Sequence, residues 1–447
     1  MRSCRAASQA GFRHRAAVDS LPTHSLMALF PLSAPRSKRS RLRDHRRGPP
    51  GSAVSASRER SGIRRKRLAA PAEVVIVGAG ISGLALAVYL GRIGIEVSLI
   101  DKAPLPRDKV CGEGVMPLGL RCLAALGIDP SSLPGVDFDG LDFLACTPSG
   151  ALRHGLRFPP GVAGRGLRRT RLVEALERAA LGHASVRIQR DEVYGVAWDA
   201  GRVIALNGRH ADYRARVFVA ADGVNSRLAR WCGARPRHFG ERLALRRHFR
   251  LSADAMPARV QVGLMGLHDL YLTPVAADEL LATTLTGRAG YRAIAGAYDA
   301  FLRAGPYAHL FAGAEPASDL LGWYHPLFHA RRYVAGGVFF VGDAGGGIDP
   351  CLGMGMSLGL DTALAAGASI ATLLRGGMGR EAGESRFARE RTSLYLHYHP
   401  FGRVFRTLVG SSRGARALLW AMSRLPGLAG RLLAIVADRR PWRSLLW

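Results

Sequence analysis

A chain of 447 residues with 48% hydrophobic content can bury a large core, and its formal charge of +29 sets 63 basic against 34 acidic side chains. Six cysteines with no CxxC pair and no histidine at ligand spacing exclude a structural metal site and read as a reduced protein, expected in the cytoplasm. No run of eighteen or more apolar residues is free of charged or polar interruption, so no transmembrane span is predicted. Residues 1–70 carry 17 basic side chains against three acidic ones and are rich in Ser, Pro and Ala, a composition that cannot bury enough surface to order itself. A disordered or artefactual tail is expected there, although an organelle-targeting segment has the same character and a gene start placed too early, before Met27 or a later codon, would give it too. Arginine supplies all but four of the basic residues, Lys38, Lys66, Lys102 and Lys109, a bias that points to GC-rich coding. The tail shows no aromatic–basic interleaving, so no nucleic-acid partner is expected.

From Glu73 to Asp101 the sequence EVVIVGAGISGLALAVYLGRIGIEVSLID reads as strand, glycine turn, helix and second strand. Gly78 permits the sharp turn after Val74–Val77, Gly80 lets the backbone approach a pyrophosphate, and Gly83 lets helix and strand pack closely. The helix, predicted to run to about Ile93, offers unpaired N–H groups and a positive dipole end to phosphates. Asp101 ends the second strand, where a carboxylate can accept from a ribose diol. Together these predict a bound dinucleotide, and Asp101 alone does not choose between NAD and FAD.

Two later segments choose. VFVAADGVNSR, residues 217–227, is an apolar β-branched run ending in Asp222-Gly223, and VFFVGDAGGGIDPCLGMGMSLG, residues 338–359, is a second ending in Gly342-Asp343. With the opening fingerprint they resemble the flavoproteins that include the p-hydroxybenzoate-hydroxylase-like aromatic monooxygenases and the geranylgeranyl reductases, over about residues 73 to 375. The resemblance implies FAD, with Asp222 and Gly223 near the pyrophosphate and Asp343 accepting from the ribityl chain or adjacent phosphate. It also implies that Pro350, Gly353, Met354 and Gly355 open a helix beneath the isoalloxazine, whose positive end would stabilise negative charge on a reduced flavin. PLPRDKVCGEG, residues 104–114, looks like the arm along the cofactor in the reductase branch. Arg107 and Lys109 would counter phosphate charge there, Cys111 and Gly112 would lie along the cofactor with Cys111 as a small apolar filler, Lys102 is counted with the cofactor-binding residues, and Arg169 stands at a helix start that helps hold the cofactor. Aromatic hydroxylases of this kind usually follow the Gly-Asp pair with Ala-Ala-His. Here Gly345 and Gly346 follow Ala344, and Met354-Gly355-Met356-Ser357 replaces a polar run, which predicts a less polar flavin rim.

The fold implied is α/β: an FAD-binding Rossmann-like domain of the glutathione-reductase type, an inserted antiparallel substrate sheet, and C-terminal helices. The boundaries expected are a tail at 1–70, a discontinuous FAD domain at 71–120, 165–230 and 335–375, a substrate domain at 121–164 and 231–334, and a helical region at 376–447. Within it, Leu172–Leu181 reads as a helix, 193–205 as a hairpin turned at Asp199-Ala200-Gly201, about 243–286 as antiparallel strands, Arg292–Leu302 as a helix, and Gly322–Pro326 as the return to the cofactor domain. His248, His268, Tyr271, Tyr324 and His325 are the polar candidates in the substrate region, and sequence does not show which point inward, so the catalytic residues are unknown at this stage.

Between Ala415 and Ala437, apolar faces alternate with Arg416, Arg424 and Arg431 at near two-turn spacings, with Trp420, Trp442 and Trp447 nearby and Pro426 expected to break the run. A lid packed on the protein's own surface and a helix lying in a membrane interface both fit. No second strand–glycine–helix fingerprint for NAD(P)H is present; NAD(P)H would bind transiently at the FAD domain, or electrons would arrive from a separate donor protein. The functions expected are a monooxygenase of an apolar aromatic or polyketide-like molecule, a reductase of isoprenoid double bonds, or a prenyl-lipid or prenyl-protein binding protein of the same fold that has lost flavin; retention of Gly78, Asp101, Asp222 and Asp343 argues against the last.

Overall fold

Val74–Val77, Val97–Asp101, Val217–Ala220 and Val338–Phe340 form the centre of the protein because each is β-branched or apolar enough to be covered on both faces, and Val186–Arg190 (VRIQR), with only its first residue buried, joins them as an edge strand. In the computed structural model, which describes residues 67–147, 150–234 and 236–438, these strands pair in parallel in the order 338–340, 217–220, 74–77, 97–101, 186–190. Val334–Ala335 closes the edge antiparallel. Helix α1 (Ile81–Arg92), helix α2 (Arg169–Leu181) and helix α3 (Gly355–Leu374) supply much of the cover, and α3 packs on α1. Gly367 in α3 sits against the Tyr89 ring of α1, which a Cβ would meet at 2.4 Å. Helix α3 is long and apolar enough by composition to cross a bilayer, a feature the sequence reading passed over, but most of it is buried inside the protein, so here it is a core helix.

The second layer is a large sheet in which Pro236–Arg250 pairs with Glu279–Thr286 and Leu321–Ala330, and the chain continues through His268–Ala276 and Val260–Leu264 to Gly140–Thr147 and Gly150–Arg157. All its pairings are antiparallel except 260–264 with 140–147. The expected return to the cofactor domain at Gly322–Pro326 is corrected: this segment is the middle of a ten-residue strand that lengthens the substrate sheet. The helix expected at Arg292–Leu302 is interrupted at Ala295–Ala297, where Gly296 disfavours continuation, leaving Arg288–Ile294 and Tyr298–Ala304. The 193–199 and 202–208 strands do form a hairpin, turned through Ala200 and Gly201 at positive φ.

Arg67–Leu68, placed at the end of the tail by composition, pair in parallel with Ala211–Asp212 and so belong to the fold; residues 1–66, and Trp442 and Trp447, lie outside the described residues. Three helices end the described residues: α4 (Arg380–Val409), α5 (Ser412–Arg424) and α6 (Pro426–Asp438), with the break before Pro426 where the sequence places it. Helix α5 lies on the 140–147 and 150–157 strands, α4 on α3.

Candidate active site

The glycine turn is built by close approach. A Cβ on Gly83 would lie 1.8 Å from the Gly78 carbonyl oxygen, and one on Gly78, at φ +108°, 2.4 Å from the Ala221 carbonyl oxygen, so both positions need hydrogen where other residues carry a side chain. Gly80 differs: a Cβ there would meet nothing within 4 Å, because it faces a cavity of about 520 Å³. Asp101 accepts from the Ala79 N–H (2.8 Å) and the Ala103 N–H (2.9 Å), which ties the turn to the second strand while leaving each oxygen a further lone pair.

From that turn the cavity runs past Lys102, Arg107, Arg169, Asp222, Gly223, Gly342, Asp343, Pro350, Gly353 and Gly355, and past the arm at Lys109, Cys111 and Gly112. The fold thus brings nearly all the residues singled out in sequence to one cavity. Gly83 stands behind the turn as packing. Met354 is the exception: it is fully buried and off the cavity, and Met356 lines it instead. The reason is helical phase. A 3-10 turn at Pro350–Leu352 and a left-handed Gly353 (φ +66°) precede α3, which begins only at Gly355.

Charge is arranged around Asp343. Burial opposes its ionisation, yet Lys109 at 3.6 Å, with His325, Arg169 and Arg391, holds its carboxyl below the usual range. Burial lowers the Lys109 pKa, partly offset by Asp343, and its ammonium lies 4.9 Å from the Trp323 ring centroid. Arg391, on α4, donates to the carbonyls of Gly342 and Gly346 at 2.8 Å each and so fixes the Gly-Asp turn from the C-terminal region. No sequence signal marked Arg391; its partners lie 49 and 45 residues away.

Glu113 was missed as well. It is held at φ +54°, 1% exposed, and accepts from the Arg169 N–H (3.1 Å), with His248 Nε2 at 2.7 Å. It therefore caps α2, whose own N-cap residue Arg168 makes no side-chain cap, and sets where Arg169 enters the cavity. Buried Arg246 joins the cluster through Asp108 and His248 Nδ1 (3.1 Å), so the arm is clamped to the substrate sheet by charge. His248 is thus structural. His268 packs on Phe301 with burial lowering its pKa to about 4, Tyr324 is exposed, and only Tyr271 and His325 of the five polar candidates line the cavity. Tyr271 donates to the Cys351 carbonyl at 2.9 Å. Burial lowers His325 and keeps its imidazole neutral.

The cavity residues fit FAD on three observations. Gly80 presents backbone where a pyrophosphate would approach. Arg169 Nε and Asp222 Oδ1 are buried polar atoms of cavity-lining residues with no partner among the described residues, while Asp222 Oδ2 accepts from the Arg227 N–H at 2.9 Å. Cations at Arg107 and Arg169 line the same cavity. Beyond it the wall turns apolar: Phe143, Val260 and Val262 from the sheet, Met356 from α3, and Phe401, Phe405, Met422 and Leu433 from the last three helices. The Thr273 and Thr283 hydroxyls on this wall donate to the Gly112 and Cys111 carbonyls.

Residues 71–267 match the family model of an FAD binding domain. A menaquinone reductase of Mycobacterium tuberculosis is 30% identical over 167 residues, 37% of this chain and 40% of that protein. Squalene monooxygenase 1,2 of Brassica napus is 29% identical over 172 residues, 35% of this chain and 32% of that protein. The chain therefore matches well under half the length of these relatives. Among solved structures, the flavin-dependent brominase Bmp2 superposes with a TM-score of 0.72 at 20% identity, covering 84% of this chain and 97% of that one. PqsL of Pseudomonas aeruginosa in complex with 2-aminobenzoylacetate gives 0.69 at 20% identity, covering 78% and 100%. At these identities the superpositions establish the fold.

Proposed function

We propose that the chain, whose residues 71–267 match an FAD binding domain, is an FAD-dependent oxidoreductase of the p-hydroxybenzoate-hydroxylase-like kind and a monooxygenase acting on an apolar small molecule, aromatic or polyketide-like. The observation that carries this is the cavity itself, which the glycine turn and Asp343 share with a largely apolar wall of Phe143, Val260, Val262, Met356, Phe401, Phe405, Met422 and Leu433, the Thr273 and Thr283 hydroxyls on it being turned to backbone carbonyls. When bound, the flavin supplies the two-electron chemistry, taking reducing equivalents from transiently docked NAD(P)H or a separate donor protein so that one atom of dioxygen enters the substrate and the other leaves as water.

The protein's own part is to bind, orient and exclude water. The hydroxyls of Tyr271, Thr273 and Thr283 are already committed to backbone carbonyls, so none of these three is poised as a base. Neutral His325 can exchange one hydrogen bond at the flavin end, and the salt-linked Lys109–Asp343 pair fixes the charge there. This suits oxygen transfer to a substrate that needs no ionisation. The menaquinone reductase similarity and the same hydrocarbon wall favour a second reading, reduction of an isoprenoid double bond.

Turnover of apolar test substrates with NADPH under labelled dioxygen separates the readings. Product carrying one labelled oxygen atom is expected. Product gained only under anaerobic conditions, with two added hydrogens, would replace the first reading with the second.

A further inference from the structure

Helices α4 to α6 are two-faced. Their inner sides carry Phe401, Phe405, Met422, Leu432 and Leu433 onto the cavity. Their outer sides hold large apolar groups in water: Leu396 (59% exposed), Val404 (60%), Leu408 (38%), Trp420 (60%) and Leu425 (55%). Leu396, Val404 and Leu408 are spaced by multiples of four and so form one stripe. Leu267, 63% exposed, belongs with them, because its neighbour Gly266 faces the Ser412 hydroxyl at the start of α5. Half of the twelve exposed large apolar side chains among the described residues are thus gathered on this one region.

Its charge has a single sign. From Thr392 to Ala437 there is no Asp or Glu, while Arg403, Arg406, Arg413, Arg416, Arg424 and Arg431 fall within it. Arg406 reaches Asp349; Arg403, Arg413, Arg424 and Arg431 are exposed and find no carboxylate among the described residues. A soluble surface rarely pairs exposed apolar groups with unbalanced cations unless something apolar and anionic covers it. A second copy of the chain is disfavoured, since a two-fold interface would set these cations against their own equivalents.

We infer that the outer face of α4–α6 docks on an anionic lipid bilayer, with Trp420 at the headgroup level and the leucines and Val404 below it. The inference stands apart from which reaction the cavity performs, though it suits an apolar substrate that partitions into lipid. Each arginine at an anionic surface strengthens binding roughly five-fold, so four give on the order of a few hundred-fold between anionic and neutral membranes at low salt.

The test is flotation of the full flavin-loaded chain with phosphatidylcholine vesicles and with phosphatidylcholine–phosphatidylglycerol vesicles. The parent should bind the anionic vesicles, and the triple variant Val404→Ser/Leu408→Ser/Trp420→Ser should bind about tenfold or more weakly with unchanged flavin content. Arg413→Glu/Arg424→Glu should remove the preference for anionic lipid. In the parent, brominated lipid should quench part of the tryptophan emission, and Trp420→Phe should abolish that part. Equal binding by parent and triple variant, which attachment through residues 1–66 would give, overturns the inference. So does absence of vesicle binding by the parent, whether or not these variants change its self-association.

Discussion

Replacing Gly80 by alanine separates the cofactor from the fold. Gly80 sits at φ −78°, ψ −176°, a conformation alanine adopts without strain, and its added Cβ would meet no protein atom within 4 Å. The folded protein should therefore lose nothing and gain up to about 0.5–1 kcal/mol from the stiffer unfolded chain. The same methyl would occupy the space through which a pyrophosphate reaches the turn and the start of α1. Displacement from one or two charge-assisted N–H contacts, each about 1.5–3 kcal/mol, costs about 2–4 kcal/mol of FAD binding, or roughly 30- to 1,000-fold in Kd. The assay is thermal unfolding of the apoprotein beside titration of FAD by flavin fluorescence. Parent-like FAD affinity in the Gly80→Ala variant, with folding intact, would refute the assignment of this turn.

Gly83→Ala should behave in the opposite way: its Cβ would sit 1.8 Å from a backbone oxygen, so α1 must shift, at a cost of about 3 kcal/mol, and the apoprotein melting temperature should fall before any cofactor is added. Arg391→Met removes two charge-assisted bonds from the Gly342 and Gly346 carbonyls, together about 3–6 kcal/mol shared between stability and FAD affinity, while Arg391→Lys should recover part of it. Burial, against Arg242 and with Asp349, raises Asp269 to about 7. Because the native form then holds its proton while the unfolded form has lost it, stability should fall as pH rises from about 4 to 7 and flatten above. Denaturant titrations of Asp269→Asn across that interval should show a shallower slope; an unchanged slope would place the titration elsewhere.

What the sequence revealed was what lies close along the chain. Gly78, Gly80, Gly83 and Asp101 fall in one strand–helix–strand unit, so spacing alone locates their roles, and the Asp222-Gly223 and Gly342-Asp343 pairs announce themselves as ends of buried β-branched strands. Glu113 and Arg391 were hidden because their partners are distant: His248 lies 135 residues from Glu113, and a buried ion or cap made across such a gap leaves no periodicity to read. Met354 was misjudged for a local reason, since one left-handed glycine before α3 rotates the helix so that Met356 meets the cavity. The helical lid was legible as an amphipathic pattern, but that pattern could not say that its inner face walls the chamber at Phe401 and Phe405.

The most direct measurement is the flavin content of the purified full chain after reconstitution with FAD and with FMN. The convergence of the 78–83 turn, Asp222-Gly223 and Asp343 on one cavity predicts one tightly held FAD per chain, released on denaturation, and no comparable uptake of FMN. A folded chain that stays colourless in excess FAD would contradict it.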